Sequence, residues 1–138
     1  MTNAKNPGLA VNNRGEVGFA YQQLTGTPVA NQRWQTHVQV RGGDFALIKD
    51  MVLADTPAQT PARDGLPYLG DYLHVLAVGA DFYGVFPASN TPDRANFPSG
   101  VVYQRLANFD TKKLLDTDGS EVAPSIDPFF FKVSIVAQ

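Results

Sequence analysis

Among the acid, phenol and guanidinium side chains in the second half of the chain, from which a carboxylate-binding or acid–base site could be built, six stand out as candidates: Asp71, Tyr72, Asp81, Asp93, Arg94 and Arg105. An arginine fork grips a carboxylate through two parallel bonds, and a carboxyl group moves protons when its surroundings tune its pKa. No spacing among the six singles out a triad. Each also has a plainer reading. Gly70-Asp71 is ordinary turn chemistry, Tyr72 can simply pack, and Arg105 inside the apolar run Val101–Leu106 reads as a structural ion-pair partner. His74, beside an apolar run, reads as a satisfied core histidine and His37 as a wet-face residue. Trp34, Tyr68, Tyr72, Tyr83 and Tyr103 could stack on sugar rings, although large aromatics more often fill cores.

Metal chemistry has one weak candidate. Asp116-Thr117-Asp118-Gly119-Ser120, with Asp127 at the twelfth position, imitates a calcium loop, but Glu121 stands where the sharp turn needs glycine. The run reads as a surface turn, and no metal is expected. Asn90-Thr91-Pro92-Asp93-Arg94-Ala95-Asn96 has oxygen ligands but no selecting spacing. The absence of cysteine excludes thiolate chemistry and disulfides, and no cofactor is implied.

The elements that must position these groups are strands. At 138 residues the chain has the length of one domain with a single core, and 43% hydrophobic residues at a net charge of -2 describe a globular protein with no polyanion-seeking surface. Nucleic acid is therefore not an expected partner. No apolar run reaches the roughly 18 residues that span a bilayer, so no membrane partner is expected. The opening Met1–Pro7 resembles neither a signal nor a transit peptide.

Leu9-Ala10-Val11 is a short strand closed by Asn12-Asn13-Arg14-Gly15. In Glu16–Leu24, Val17, Phe19 and Tyr21 share one face, while Gly18 and Ala20 leave the other thin enough for close packing. Arg33–Arg41 alternates cleanly, with Trp34, Thr36, Val38 and Val40 on one side. After the turn Gly42-Gly43-Asp44, Phe45–Leu53 is expected as a fourth strand, followed by a loop from Ala54 to Pro67. Leu69–Phe86 reads as a hairpin covered on both faces, Pro87–Gly100 as a second loop, Val101–Leu106 and Lys112–Leu115 as strands, and Phe129–Val136 as a strong β run.

The order repeats. The unit beginning at Leu9 (about 8–55) recurs from Leu76 (about 68–136), each as four antiparallel strands in a meander, apolar at the inner strands and half-wet at the outer ones. That gradient is expected of β-propeller blades. The fold class is therefore all-β, with two blade-like meander units in a single domain and a β-sandwich as the alternative.

These residues resemble a family. Tyr68-Leu69-Gly70-Asp71-Tyr72, followed by Leu76-Ala77-Val78 and Asp81-Phe82-Tyr83-Gly84-Val85-Phe86, is similar to the late blades of bacterial sialidase-like propellers with neuraminidase repeats, and Ala10–Tyr21 to the blade before them. The Asp-box of such repeats should fall between the third and fourth strands, where this chain has Arg41-Gly42-Gly43-Asp44-Phe45 and only Asp44 is left of it. The resemblance implies a glycan-acting or glycan-binding parent and sialidase-type glycoside hydrolase chemistry, with arginines on the substrate carboxylate, a carboxylate-activated tyrosine and an acid. Asp71, Tyr72 and Arg105 are the implied catalytic residues, and Arg94, Tyr68 and Asp93 the implied binding residues.

Two blades are not expected to catalyse alone. They would also leave two apolar faces uncovered, so a homo-oligomer is expected, for instance three copies head to tail closing a six-blade ring. Carbohydrate is the implied ligand. The competing expectations are a self-assembling lectin-like module and a purely structural β-protein. A secreted or periplasmic location would follow if the chain were cut from a longer sialidase-like precursor.

Overall fold

The computed structural model describes residues 4–61, 69–103 and 105–136. The chain is all-β, and its described residues form three antiparallel sheets and two 3₁₀ turns. Strands β1 (Ala4–Val11), β2 (Val17–Thr25), β3 (Arg33–Arg41) and β4 (Leu47–Pro57) form a meander in chain order, the expected first unit. Its alternation is the one read from the sequence: Ala20 and Leu24 on β2, and Trp34, Val38 and Val40 on β3, are buried. At the β3–β4 turn, Gly42 accepts from the Phe45 amide, Phe45 takes a positive φ of 63°, and the Asp44 carboxylate caps the Ala46 amide at 3.0 Å. Strand β4 continues through the expected start of the loop at Ala54, because Ala54 and Thr56 extend its inward row opposite Thr36 and Trp34. It ends at Pro57, a residue that an edge strand tolerates.

The second half departs from the expected four-strand meander. Strands β5 (His74–Val78) and β6 (Asp81–Ser89) form the hairpin, but the third place in their sheet goes to β10 (Ile126–Val133). Residues 101–103 have no regular structure. Leu106 opens β7 (Leu106–Asn108), which with β8 (Lys113–Leu115) and β9 (Glu121–Val122) makes a small separate sheet. The physical reason lies in what each segment offers the core. Strand β10 delivers Phe129, Phe131 and Val133 at alternate positions, all buried, whereas Val102 stays 88% exposed. The hairpin is also not covered on both faces: Leu76, Val78 and Val85 are exposed, and only its far end, from Phe86 to Asn90, is buried throughout.

The two main sheets face each other, and their first two strands stack in the same order and direction. The space at Gly8 on β1 is bounded by Leu73 and Val75, the Asn13 amide donates to the Gly79 carbonyl at 3.0 Å, and Asn12 Nδ2 donates to the Ala80 carbonyl at 2.9 Å. Strand β1 thus runs along β5. Strand β2 runs along β6 in the same way, with Gly18 against the Phe82 ring and Gln22 Nε2 donating to the Pro87 carbonyl at 2.8 Å. The sheets meet closely along β1 and β5, where Gly8, Ala10 and Ala77 are small. Farther out the gap is filled by Phe86, Phe97, Phe129 and Phe131, in one apolar cluster with Val38, Val40 and Leu53.

Candidate functional site

Alternation on β10 puts Asp127 in the same row as Phe129, Phe131 and Val133, on the side of the strand that faces the core. A carboxylate there needs partners, and it has them. Asn90, buried just beyond β6, gives Nδ2 to Asp127 Oδ2 at 2.8 Å, and the Ser125 hydroxyl donates to Oδ1 at 3.0 Å. Asn90 and Ser125 lock to each other through the Asn90 amide on the Ser125 carbonyl (3.0 Å) and the Ser125 amide on Asn90 Oδ1 (2.8 Å). Arg105 Nε approaches Asp127 Oδ2 to 3.4 Å, and its side chain remains 53% exposed.

Two clefts meet at Asp127 and Pro128. The larger, about 1070 Å³, opens between β4 and β10 and is lined by Leu53, Phe97, Tyr103, Arg105 and Phe129 among others. The smaller, about 460 Å³, is bounded by Gly70, Tyr72, Pro87, Ser125 and Asp127 among others. Tyr103 anchors the larger wall. Its hydroxyl donates to the Thr91 carbonyl at 2.8 Å, and its ring packs edge-on against Phe97 and Phe109.

Burial, and after it the carboxylates of Asp127 and Asp93, hold the Tyr103 phenol well above the usual tyrosine value of 10.0. The folded chain keeps that proton at pH values where the unfolded chain has lost it. The associated stability is fully present below about pH 10 and drains away as the pH rises through the folded-state value. Tyr103→Phe is therefore expected to flatten the alkaline decline of the urea midpoint, and phenolate absorbance should show one fewer late-titrating tyrosine in the variant. An unchanged alkaline profile would contradict this.

The residues singled out from the sequence fall in three places. Tyr72 is 88% exposed at the smaller cleft and does not pack away; its neighbour Asp71 pairs with Lys5 at 3.8 Å. Arg105 belongs to no strand and reaches Asp127 from the larger cleft, so Tyr72 and Arg105 flank the same carboxylate. Asp93 and Arg94 stand at the 3₁₀ turn Arg94–Asn96. The Lys112 ammonium at 2.8 Å, then the Ala95 amide, hold the Asp93 carboxyl below the usual carboxylate range, which suits it to pairing and not to proton donation. The Arg94 guanidinium lies over the Phe109 ring at 4.4 Å. Tyr68 lies outside the described residues.

Asp81 is likewise held below its usual range, by Lys132 first. His74 is exposed and not a core residue as expected, whereas His37 stands in the partly exposed row of β3, as expected, and stacks on Tyr21 at 4.9 Å. Asp116 and Asp118 spend oxygens on the backbone of their own turn, and among the described residues no three His, Asp or Glu side chains gather as a metal cluster. Among the described residues no helix is long and apolar enough to cross a membrane.

The arrangement can bind more readily than it can catalyse. Both Asp127 oxygens are engaged, and Asp93 and Asp81 are stabilised as anions. Arg105, partnered with Asp127 through Nε, carries a five-donor fork on a side chain that is half exposed. Comparison of the chain with protein-family models, curated proteins and solved structures finds no match.

Proposed function

We propose that this chain is a two-sheet segment of a sialidase-like propeller that binds acidic glycans in the clefts meeting at Asp127 and does not turn them over alone. The observation that carries this reading is the stacking of β1 on β5 and β2 on β6 in matching order and direction. Successive wedge-shaped blades about an axis stack in this way. Arg105 supplies the group that a sugar carboxylate would choose, with Tyr72 and Tyr103 offering aromatic surface on either side of the Asp127 wall. Arg33, Arg94 and Arg105 each hold a different partner (Asp55, Phe109 and Asp127), so they do not form the convergent arginine cluster that hydrolysis of a sialoside requires.

The test is a titration of the purified chain with a sialylated trisaccharide and with its unsialylated counterpart, read by amide chemical shifts. The sialylated sugar is expected to move resonances around residues 103–105 and 125–128. Arg105→Ala should weaken it about tenfold, the scale of one charge-assisted hydrogen bond. A fluorogenic sialoside should remain intact. Indifference to both sugars, or equal binding in the variant, would end the reading.

A further inference from the structure

Two sheets stacked in the same order and direction have a geometric property that a face-to-face pair related by a dyad lacks. Moving the β1–β4 sheet along the stacking direction onto the β5–β6–β10 sheet carries its covered face onto the other's uncovered face. What covers one sheet within the chain is therefore what the other sheet's outer face is shaped to receive. From this we propose that the chain associates with further copies of itself head to tail, the outer face of β5–β6–β10 in one copy seating on the outer face of β1–β4 in the next. This rests on the stacking and not on glycan binding.

The composition of the two faces agrees. One carries Leu76, Val78, Val85 and Phe130, and the other Leu9 and Val11, all exposed, beside Val17 and Phe19. Most of their charged groups already have partners. Asp81 holds Lys132 at 3.1 Å on the first face, Arg33 holds Asp55 at 2.6 Å on the second, and Gln39 bridges Arg41 (3.0 Å) and Asp50 (3.1 Å). The Asp81–Lys132 and Arg33–Asp55 pairs lessen the usual obstacle to burying a sheet surface, whereas Arg41 is held by the neutral oxygens of Gln39 and Phe45.

Strand spacing and rise make the smaller face roughly 14 Å by 26 Å, about half of the roughly 800 Å² per partner in a standard interface. A single contact is therefore weak. In a closed ring each copy makes two, so the assembly is expected to depend on concentration and to favour closed species over isolated dimers.

The experiment uses sedimentation velocity and native mass spectrometry on the whole chain across a concentration series, with Leu9→Lys and Leu76→Lys as variants. Both positions are exposed, at 62% and 52%, so each variant should keep the circular dichroism of the parent. Each alone should raise the concentration needed for assembly at least about tenfold, the effect of losing one buried leucine. Mixed together they should form a heterodimer and nothing larger, because each retains the face that the other has lost. A parent that stays monomeric throughout would overturn the proposal. So would assembly sensitive to only one of the two substitutions, since that describes a symmetric contact of one face with itself. A monomeric parent that still binds the sialylated sugar would overturn the assembly while leaving the glycan reading intact.

Discussion

Phe82→Ala is expected to cost about 4 kcal/mol of folding stability, the middle of the range for removing an enclosed aromatic ring. Phe82 has no exposed surface and sits where the two hairpins touch, its ring occupying the space a β-carbon on Gly18 would take. The pair can be tested as a cycle. Gly18→Ala in the parent forces the ring or the strand to move and should cost about 2 kcal/mol, typical of overpacking. In the Phe82→Ala background the added methyl enters the vacated space, and the same change should be close to neutral. Urea denaturation of the four proteins gives the coupling directly, and an additive cycle would mean that Gly18 and Phe82 do not meet.

Gln22→Leu should destabilise the fold by about 3 kcal/mol, from a deletion that leaves several buried partners unsatisfied. Gln22 is fully buried, and its Nε2 bridges Thr36 Oγ1 at 3.0 Å and the Pro87 carbonyl at 2.8 Å while its Oε1 accepts from Asn6 at 2.7 Å. It is a polar tie between the two sheets inside a mostly apolar gap. Gln22→Glu carries a sharper signature. Protonated, the new carboxyl can still donate to Pro87; ionised, it faces that carbonyl with no donor to give. Burial would raise its folded-state pKa, so the variant should be most stable at acid pH and lose stability as the pH rises through that value. A pH-independent deficit would show that Gln22 fills space and does not connect the sheets.

Much of the first sheet was legible because its signals are local. The alternation in Arg33–Arg41 and the small residues Gly18 and Ala20 opposite Val17, Phe19 and Tyr21 dictate which side turns inward, and the close approach expected at Gly18 is the contact with Phe82. Partner choice in the second sheet was not legible. Val101–Leu106 and Phe129–Val136 both read as strands, and which one lies beside β6 is settled by how much each buries, a comparison that needs the opposing sheet. The repeated Leu-Ala-Val triplets do mark the first strand of each hairpin, yet they could not reveal that the second unit takes its third strand from late in the chain.

For the site, Asp71, Tyr72 and Arg105 came from resemblance, while the carboxylate that joins the clefts was passed over as a faint calcium position. Extending the Phe129, Phe131, Val133 alternation back by two residues places Asp127 in that row, and a charge in such a row announces a network. Asn90 and Ser125 had no comparable signal, because their roles depend on where the end of β6 meets the start of β10.

The insertion of β10 beside β6 also governs the order of events during synthesis. The meander β1–β4 and the hairpin β5–β6 join neighbours in the chain and can form as they leave the ribosome, whereas the aromatic wall supplied by Phe129 and Phe131 arrives only after the small third sheet has been made. Until then the nascent chain holds Phe82 and Phe86 without their flanking strand, and a pause in translation before Ile126 would leave that edge open to any passing extended segment.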